Sequence, residues 1–111
     1  MPPVRIERFR TPGGADPVAE FLESLTLLHR AACEEVIGFL ESGEIDARPR
    51  HRDYLGDGIW ELRISVGRMQ YRILYTVEQG IATLLEGFHK KTQQTPKRRL
   101  DLAKARRKAL R

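Results

Sequence analysis

The residues best suited to chemistry are cations in and after three consecutive predicted strands. Arg63 and Arg72 occupy alternate positions of two neighbouring strands, so both are expected on one face of a small sheet. The third strand runs directly into His-Lys-Lys. Arginine binds phosphate through paired donors, lysine acts as a point charge and histidine moves a proton. Such a set suits RNA cleavage by the neighbouring 2′-hydroxyl, which builds negative charge on the phosphoryl oxygens and the leaving 5′-oxygen. The predicted catalytic residues are Arg63, Arg72, His89, Lys90 and Lys91.

Further basic residues around this group are predicted to bind RNA. They lie in the loop before the first strand, in the first hairpin turn and at the start of a basic terminal helix: Arg50, His51, Arg52, Arg68, Lys97, Arg98 and Arg99. An alternative interpretation stays open for the central pair, because Arg63 and Arg72 can form surface ion pairs with Glu61, Glu78 or Glu86. A lone histidine such as His89 is also more often structural than catalytic.

No metal or cofactor site is predicted. The three histidines are far apart in the sequence, and no cysteine or histidine pair has the spacing of metal ligands. Gly13-Gly14 follows no buried strand, so it does not predict a phosphate loop. Cys33, the single cysteine, is expected as a buried apolar residue of a helix in a reducing compartment. No apolar run approaches the roughly 20 residues that span a bilayer, so we expect a cytoplasmic protein without a membrane partner.

Charge is distributed unevenly along the chain. The formal net charge is +5. Residues 1–88 contain 14 acidic and 10 basic residues, whereas residues 89–111 contain one acidic and 10 basic residues. A basic block of this kind predicts an anionic partner, with nucleic acid first.

Three strands must position these cations: residues 59–66, 69–77 and 81–88. Each is bounded by glycine and rich in β-branched, leucine or aromatic residues, which is typical of consecutive hairpins. Alternation places Trp60 and Leu62 on a core face together with Tyr71 and Ile73, and it places Arg63 and Arg72 on the other face.

The remaining segments complete an α+β fold. We expect an edge strand at 4–10, a helix from Asp16-Pro17, a second helix over Leu27–Ser42, a connection over 44–57 and a terminal helix from Thr95-Pro96 to about Leu110. The prediction is one domain over residues 1–111, with β-α-α-β-β-β order, a small antiparallel sheet and an N-terminal helical hairpin on one face. The opposite face is expected to be partly open and positive. The basic C-terminal helix, 95–111, is expected to dock on the body or on a partner through a narrow face of Leu102, Ala105 and Ala109, which Leu100, Ala103 and Leu110 widen.

Three motifs resemble one known family. They are LGDGIWELR at 55–63, YRILY at 71–75 and LEGFHKKTQQTP at 85–96. In this order they resemble the RelE/ParE toxin superfamily, and more narrowly its HigB-type, phage-derived branch, over roughly residues 55–107. The last motif is the most specific.

The resemblance implies a RelE-like fold and the toxin of a type II toxin–antitoxin pair. Such toxins are commonly ribosome-dependent endoribonucleases, or mRNA interferases, that inhibit translation. The implied partners are a cognate antitoxin and messenger RNA on the ribosome, with contacts to ribosomal RNA. Arg63 and Arg72 match basic positions on the central strands of the family, and residues 89–91 match the end of the last strand.

Two departures from the family pattern leave the acid and base unassigned. The chain has no tyrosine after Tyr75 and no acidic residue beside His89. Two alternatives of other classes also stay open. One is a ParE-like inhibitor of DNA gyrase, and the other is a non-catalytic module that binds RNA or the antitoxin.

Overall fold

The computed structural model describes residues 2–110. Met1 and Arg111, the two ends of the predicted domain, lie outside the described residues. The α+β class is confirmed, with the predicted strands and helices in the expected order and one additional strand, β2. The elements are β1 (Arg5–Arg8), α1 (Pro17–Glu23), α2 (Leu27–Ser42), β2 (Arg52–Gly56), β3 (Ile59–Val66), β4 (Met69–Glu78), β5 (Ile81–His89) and α3 (Lys97–Lys108). Two short 3₁₀ turns, Glu44–Ala47 and Pro49–His51, precede β2.

The sheet is mixed and has the strand order β1-β5-β4-β3-β2. β2 to β5 form an antiparallel meander, as expected for β3 to β5, but β1 pairs parallel with β5. The expected purely antiparallel sheet is therefore corrected, because alternation specifies the buried face of an edge strand and not its direction. The predicted 44–57 connection also contains an edge strand, β2.

The hairpin turns follow from their residues. Gly67 adopts a φ of 58°, and the β4–β5 turn has positive φ at both Gln79 (51°) and Gly80 (76°). Positive φ at two central residues is typical of the tight turns that match the twist of paired strands. The first turn sets the register Arg63↔Arg72 between β3 and β4. The second turn sets Glu78↔Ile81 between β4 and β5, and a one-residue bulge in β5 then brings His89 opposite Tyr71.

The main core lies between the sheet and the helical hairpin. Asp16 accepts a hydrogen bond from the Ala19 N–H and caps α1, and Gly43 ends α2 at a φ of 86°. Cys33 is fully buried, as predicted, and burial raises the pKa of its thiol to about 11. The core residues from the helices and central strands include Val18, Cys33, Val36, Leu40, Leu62, Ile64, Tyr71, Ile73 and Tyr75.

A second core lies on the opposite face of the sheet, where α3 packs. Its buried members are Phe9, Ile59, Leu74, Leu85, Phe88 and Ala103. The docking face of α3 is formed by Ala103 and half-buried Leu100, two of the residues predicted to widen it, whereas Leu102, Ala105 and Ala109 of the predicted narrow face are exposed. This correction has a physical reason: arginines on the buried side of α3 bond to the sheet, as Arg99 does to Glu86 at 2.8 Å. None of the described helices is both long and apolar enough to cross a bilayer.

Candidate active site

Two grooves meet at the end of the sheet where β4 begins and β5 ends. The β5 groove has a volume of about 720 Å³ and is lined by Arg68, Met69, Gln70, Arg72, His89, Lys90, Lys91, Thr92 and Gln93. The β2 groove has a volume of about 420 Å³ and is lined by Arg50, His51, Arg63, Ser65, Gln70 and Arg72. Gln70 and Arg72 line both grooves, so they mark the boundary between them.

A buried carboxylate organises the floor of this region. Glu61 is 1% exposed, and its Oε1 lies 2.6 Å from Arg72 Nε and 3.6 Å from Arg63 Nε. The Thr95 hydroxyl donates a hydrogen bond to Glu61 Oε2. Burial lowers the pKa of Arg72, and the Glu61 carboxylate opposes that shift. Glu61 thereby ties two strands to the link before α3 and holds both guanidinium groups.

The two central arginines share a face, but they are not open phosphate ligands. Arg72 is 7% exposed and bound to Glu61, and Arg63 lies 2.8 Å from Asp53 on β2. The expectation of two exposed cations is corrected, because Glu61 lies two positions before Arg63 and must point to the same face. The alternative prediction of ion pairs is confirmed for Glu61 as a partner of Arg72, but this pair is buried and does not lie at the surface.

Lys90 is the central cation without a carboxylate partner. Among residues 2–110, no acidic side chain lies within ion-pair distance of its ammonium group. Burial lowers the pKa of Lys90, and the nearby Arg72 and Arg63 charges act in the same direction, while Glu61 and Asp53 oppose them. Its backbone N–H donates to the Gln70 carbonyl at 2.7 Å, which fixes the chain just beyond β5.

His51 is held in one orientation at the edge of the β2 groove. Its Nδ1 lies 2.9 Å from the Arg63 carbonyl oxygen. Because a carbonyl only accepts hydrogen bonds, Nδ1 carries the proton, and a neutral ring then keeps a lone pair on Nε2. Phe39 packs beside the ring with the centroids 5.9 Å apart. The arrangement suits a proton acceptor, whereas the sequence predicted only RNA binding for His51.

His89 has different surroundings. It pairs with Tyr71 across the sheet, and their rings are 5.5 Å apart. The Tyr71 hydroxyl in turn bonds His29 Nδ1 at 2.6 Å on the helical side. His89 therefore lines the β5 groove from the opposite face to Arg63 and Arg72, which corrects the expectation that all these residues share one face. Successive residues of a strand point to opposite sides, so only one of His89 and Lys90 can face Arg72.

The predicted RNA-binding residues divide into two groups. Arg50 and His51 line the β2 groove and Arg68 lines the β5 groove. Arg52, in contrast, lies on the helical side, 5.3 Å over the Trp60 ring and 2.9 Å from Asp46.

The three predicted RNA-binding residues at the start of α3 lie apart from both grooves. Lys97 pairs with Asp101 at 2.6 Å and borders the 92–96 link. Arg98 is exposed, and Arg99 is bound to Glu86. The structure thus does not bring Arg52, Lys97, Arg98 or Arg99 together with the rest.

No group of three or more histidine, cysteine, aspartate or glutamate side chains suited to hold a metal ion occurs within residues 2–110.

Comparison with known proteins gives one family match. The family model described as "Phage derived protein Gp49-like (DUF891)" matches residues 20–108. This range contains all three sequence motifs and every residue that lines the two grooves. No curated protein matches the chain.

Proposed function

The chain belongs to the phage-derived Gp49-like family, a RelE-like toxin family, and on this premise we propose that it is the endoribonuclease toxin of a type II toxin–antitoxin pair. More narrowly, we propose a HigB-type toxin that cuts messenger RNA on the ribosome and is neutralised by an adjacently encoded antitoxin. One observation carries the proposal: an oriented histidine, His51, and an unpaired cation, Lys90, flank the Arg72–Glu61 pair at the end of the sheet.

The proposed proton acceptor lies in the β2 groove. His51 Nε2 accepts the proton of the 2′-hydroxyl, and the 2′-oxygen attacks the adjacent phosphorus. A new 2′-O–P bond forms as the bond from phosphorus to the 5′-oxygen breaks. The products are a 2′,3′-cyclic phosphate and a 5′-hydroxyl, and no other reactant is consumed.

The proposed proton donor lies in the β5 groove. Lys90 stabilises the charge that develops on the phosphoryl oxygens and supplies the proton to the leaving 5′-oxygen. Its lowered pKa suits proton donation, since burial weakens the hold of the ammonium group on its proton. Glu61 largely offsets Arg72, and Asp53 offsets Arg63, so Lys90 provides the net positive charge at this point. Lys91 and Arg68 line the same groove and are placed for neighbouring phosphates.

Expression of the chain in a bacterial host tests the proposal. We expect growth arrest and cut messages when it is produced alone, and normal growth when the neighbouring gene is co-expressed. Lys90→Ala should restore growth. The matched control Lys104→Ala should not, because Lys104 lies on α3, lines neither groove and pairs with Asp57 in the turn after β2. Growth arrest in which messages stay intact and DNA-damage signalling is induced would support the gyrase alternative instead. Absence of toxicity at every expression level would support a non-catalytic binding module.

A further inference from the structure

We infer that Gln70 reads a guanine base at the position whose 2′-hydroxyl attacks, which makes the β2 groove a base-recognition subsite as well as a catalytic one. This inference rests on the proposed endoribonuclease function. It adds a substrate preference to that function and a residue that sets it.

The side-chain amide of Gln70 is oriented by two neighbours. Its Oε1 accepts a hydrogen bond from the Ser65 hydroxyl at 3.0 Å and lies 3.5 Å from Arg72 Nη1. A guanidinium group only donates, so the atom facing it must be the amide oxygen. The two N–H donors of Nε2 are then left without a partner among the described residues.

The position of Gln70 makes these donors accessible to a substrate. Gln70 is half-buried, lines both grooves and pairs with Ser65 across β3 and β4. A rigid strand thus holds the amide at the boundary between the grooves. A base whose ribose lies beside His51 would be next to it.

The lining of the β2 groove selects the kind of base. It contains the donors of Arg50 and Gln70, and no acidic side chain lines it. Guanine presents two adjacent acceptors, N7 and O6, on one edge. Adenine presents an amino donor in place of O6, which would face the donors of the groove. The lining therefore favours guanine over adenine.

The experiment compares cutting rates on matched messages in a purified translation reaction, with 5′ ends mapped at one site. The site has guanine, adenine or 7-deazaguanine, which lacks N7, at the position before the cut. We expect the wild-type protein to cut the guanine message about tenfold faster than the adenine message, and 7-deazaguanine to lose about fivefold. In Gln70→Met both ratios should fall to about twofold or less.

The control variant is Gln79→Met. Gln79 lies in the β4–β5 turn, just beyond the end of β4 and nine residues after Gln70, which is roughly 30 Å away at the rise of an extended strand. Both ratios should remain at the wild-type values. Thermal melting of the variants confirms that each is folded.

Three outcomes would overturn the inference. If Gln70→Met still cuts and both of its rate ratios equal those of the wild-type protein, base recognition by Gln70 is rejected. The nuclease proposal is unaffected by that result. Complete loss of cutting in a folded Gln70→Met protein would place Gln70 in the reacting machinery instead. Failure of the wild-type protein to cut any message would reject the proposed function, and the inference with it.

Discussion

Helix α3 and the end of the sheet that carries the two grooves, called the open end below, are both basic. Their charged side chains have different partners. In α3, Arg99 and Arg106 contact the buried Glu86, and Arg106 also donates to the Leu85 carbonyl at 2.8 Å. Lys104 pairs with Asp57. At the open end, Lys90, Arg50 and Arg68 have no ion pair within residues 2–110. The number of basic residues in a segment therefore shows where positive charge lies, but it does not show which of those residues are free to bind a ligand.

The contrast follows from where the sheet places its carboxylates. Glu86, 6% exposed, lies under α3 and binds the arginines that dock the helix. Glu61 lies under the grooves and is already bound to Arg72 and Arg63. Arginines paired with these buried carboxylates are therefore not available to a ligand, although the sequence alone does not distinguish them from unpaired arginines. We expect substitutions in α3 to affect folding, and substitutions at the open end to affect cutting.

The largest expected effect separates the two histidines of the open end. His51→Ala should lower the cutting rate by about 100- to 10,000-fold, because it removes the proposed proton acceptor. His89→Ala should lower the rate by less than about tenfold, since His89 lies on the other face of the sheet. Single-turnover cutting of a message in a translation reaction measures both. A larger loss for His89→Ala than for His51→Ala would reverse the assignment.

The next effect concerns the buried ion pair. Glu61→Gln should destabilise the protein by about 3–5 kcal/mol, because it leaves the Arg72 charge buried beside a neutral side chain. The double variant Glu61→Leu with Arg72→Met removes both charges and should recover most of that stability. Urea unfolding measures the free energy of unfolding. A double variant as unstable as Glu61→Gln would contradict this explanation, because it would show that the ion pair itself stabilises the fold.

A smaller effect is expected in α3. Arg106→Ala should destabilise the protein by about 1–3 kcal/mol, because the side chain loses its bonds to Leu85 and Glu86 and its packing over Phe9. Exposed Arg98→Ala on the same helix is the matched control and should change stability by less than about 0.5 kcal/mol. Similar losses of stability for the two variants would contradict the docking role of the buried arginines.

The smallest effect is a shift in pH dependence. The pKa of Lys90 is lowered, chiefly by burial, so its protonated form is lost at a lower pH than that of an ordinary lysine. Cutting should therefore decline as the pH rises through this lowered pKa. Lys90→Arg keeps a positive charge at higher pH, so its rate, although reduced, should decline only at more alkaline pH. A pH–rate profile of both proteins on one message measures the shift, and an unchanged alkaline limb would show that another group titrates.

Much of the fold was predictable because alternation and glycine-bounded turns are local. The predicted bounds of β3 match the structure, and those of β4 and β5 are each one residue short. β2 was not predicted, because RDYLG has little apolar alternation and forms an edge strand. The parallel pairing of β1 with β5 could not be predicted either, since the short sequence RIER does not specify which distant strand it pairs with.

The site was predicted in part for the same reason. Arg72, Lys90 and Lys91 do line one groove, since β4 and β5 were predicted as the two strands of one hairpin. His51 was assigned to binding alone because its orientation depends on the turn before β2 and on a carbonyl of β3. His89 was placed on the wrong face because the β4–β5 pairing shifts by one residue, from Tyr75↔Leu84 to Leu74↔Glu86, and this bulge in β5 reverses the alternation of the residues that follow it.

The chemistry of the cut ends tests the central claim most directly. Purified protein is added to ribosomes translating a defined message, and the new ends of the fragments are identified. We predict a 5′-hydroxyl, labelled by a polynucleotide kinase without prior phosphatase treatment, and a 2′,3′-cyclic phosphate on the other fragment, both absent with His51→Ala. Fragments with 5′-phosphate ends, or undiminished cutting by His51→Ala, would contradict attack by the 2′-hydroxyl assisted at this end of the sheet.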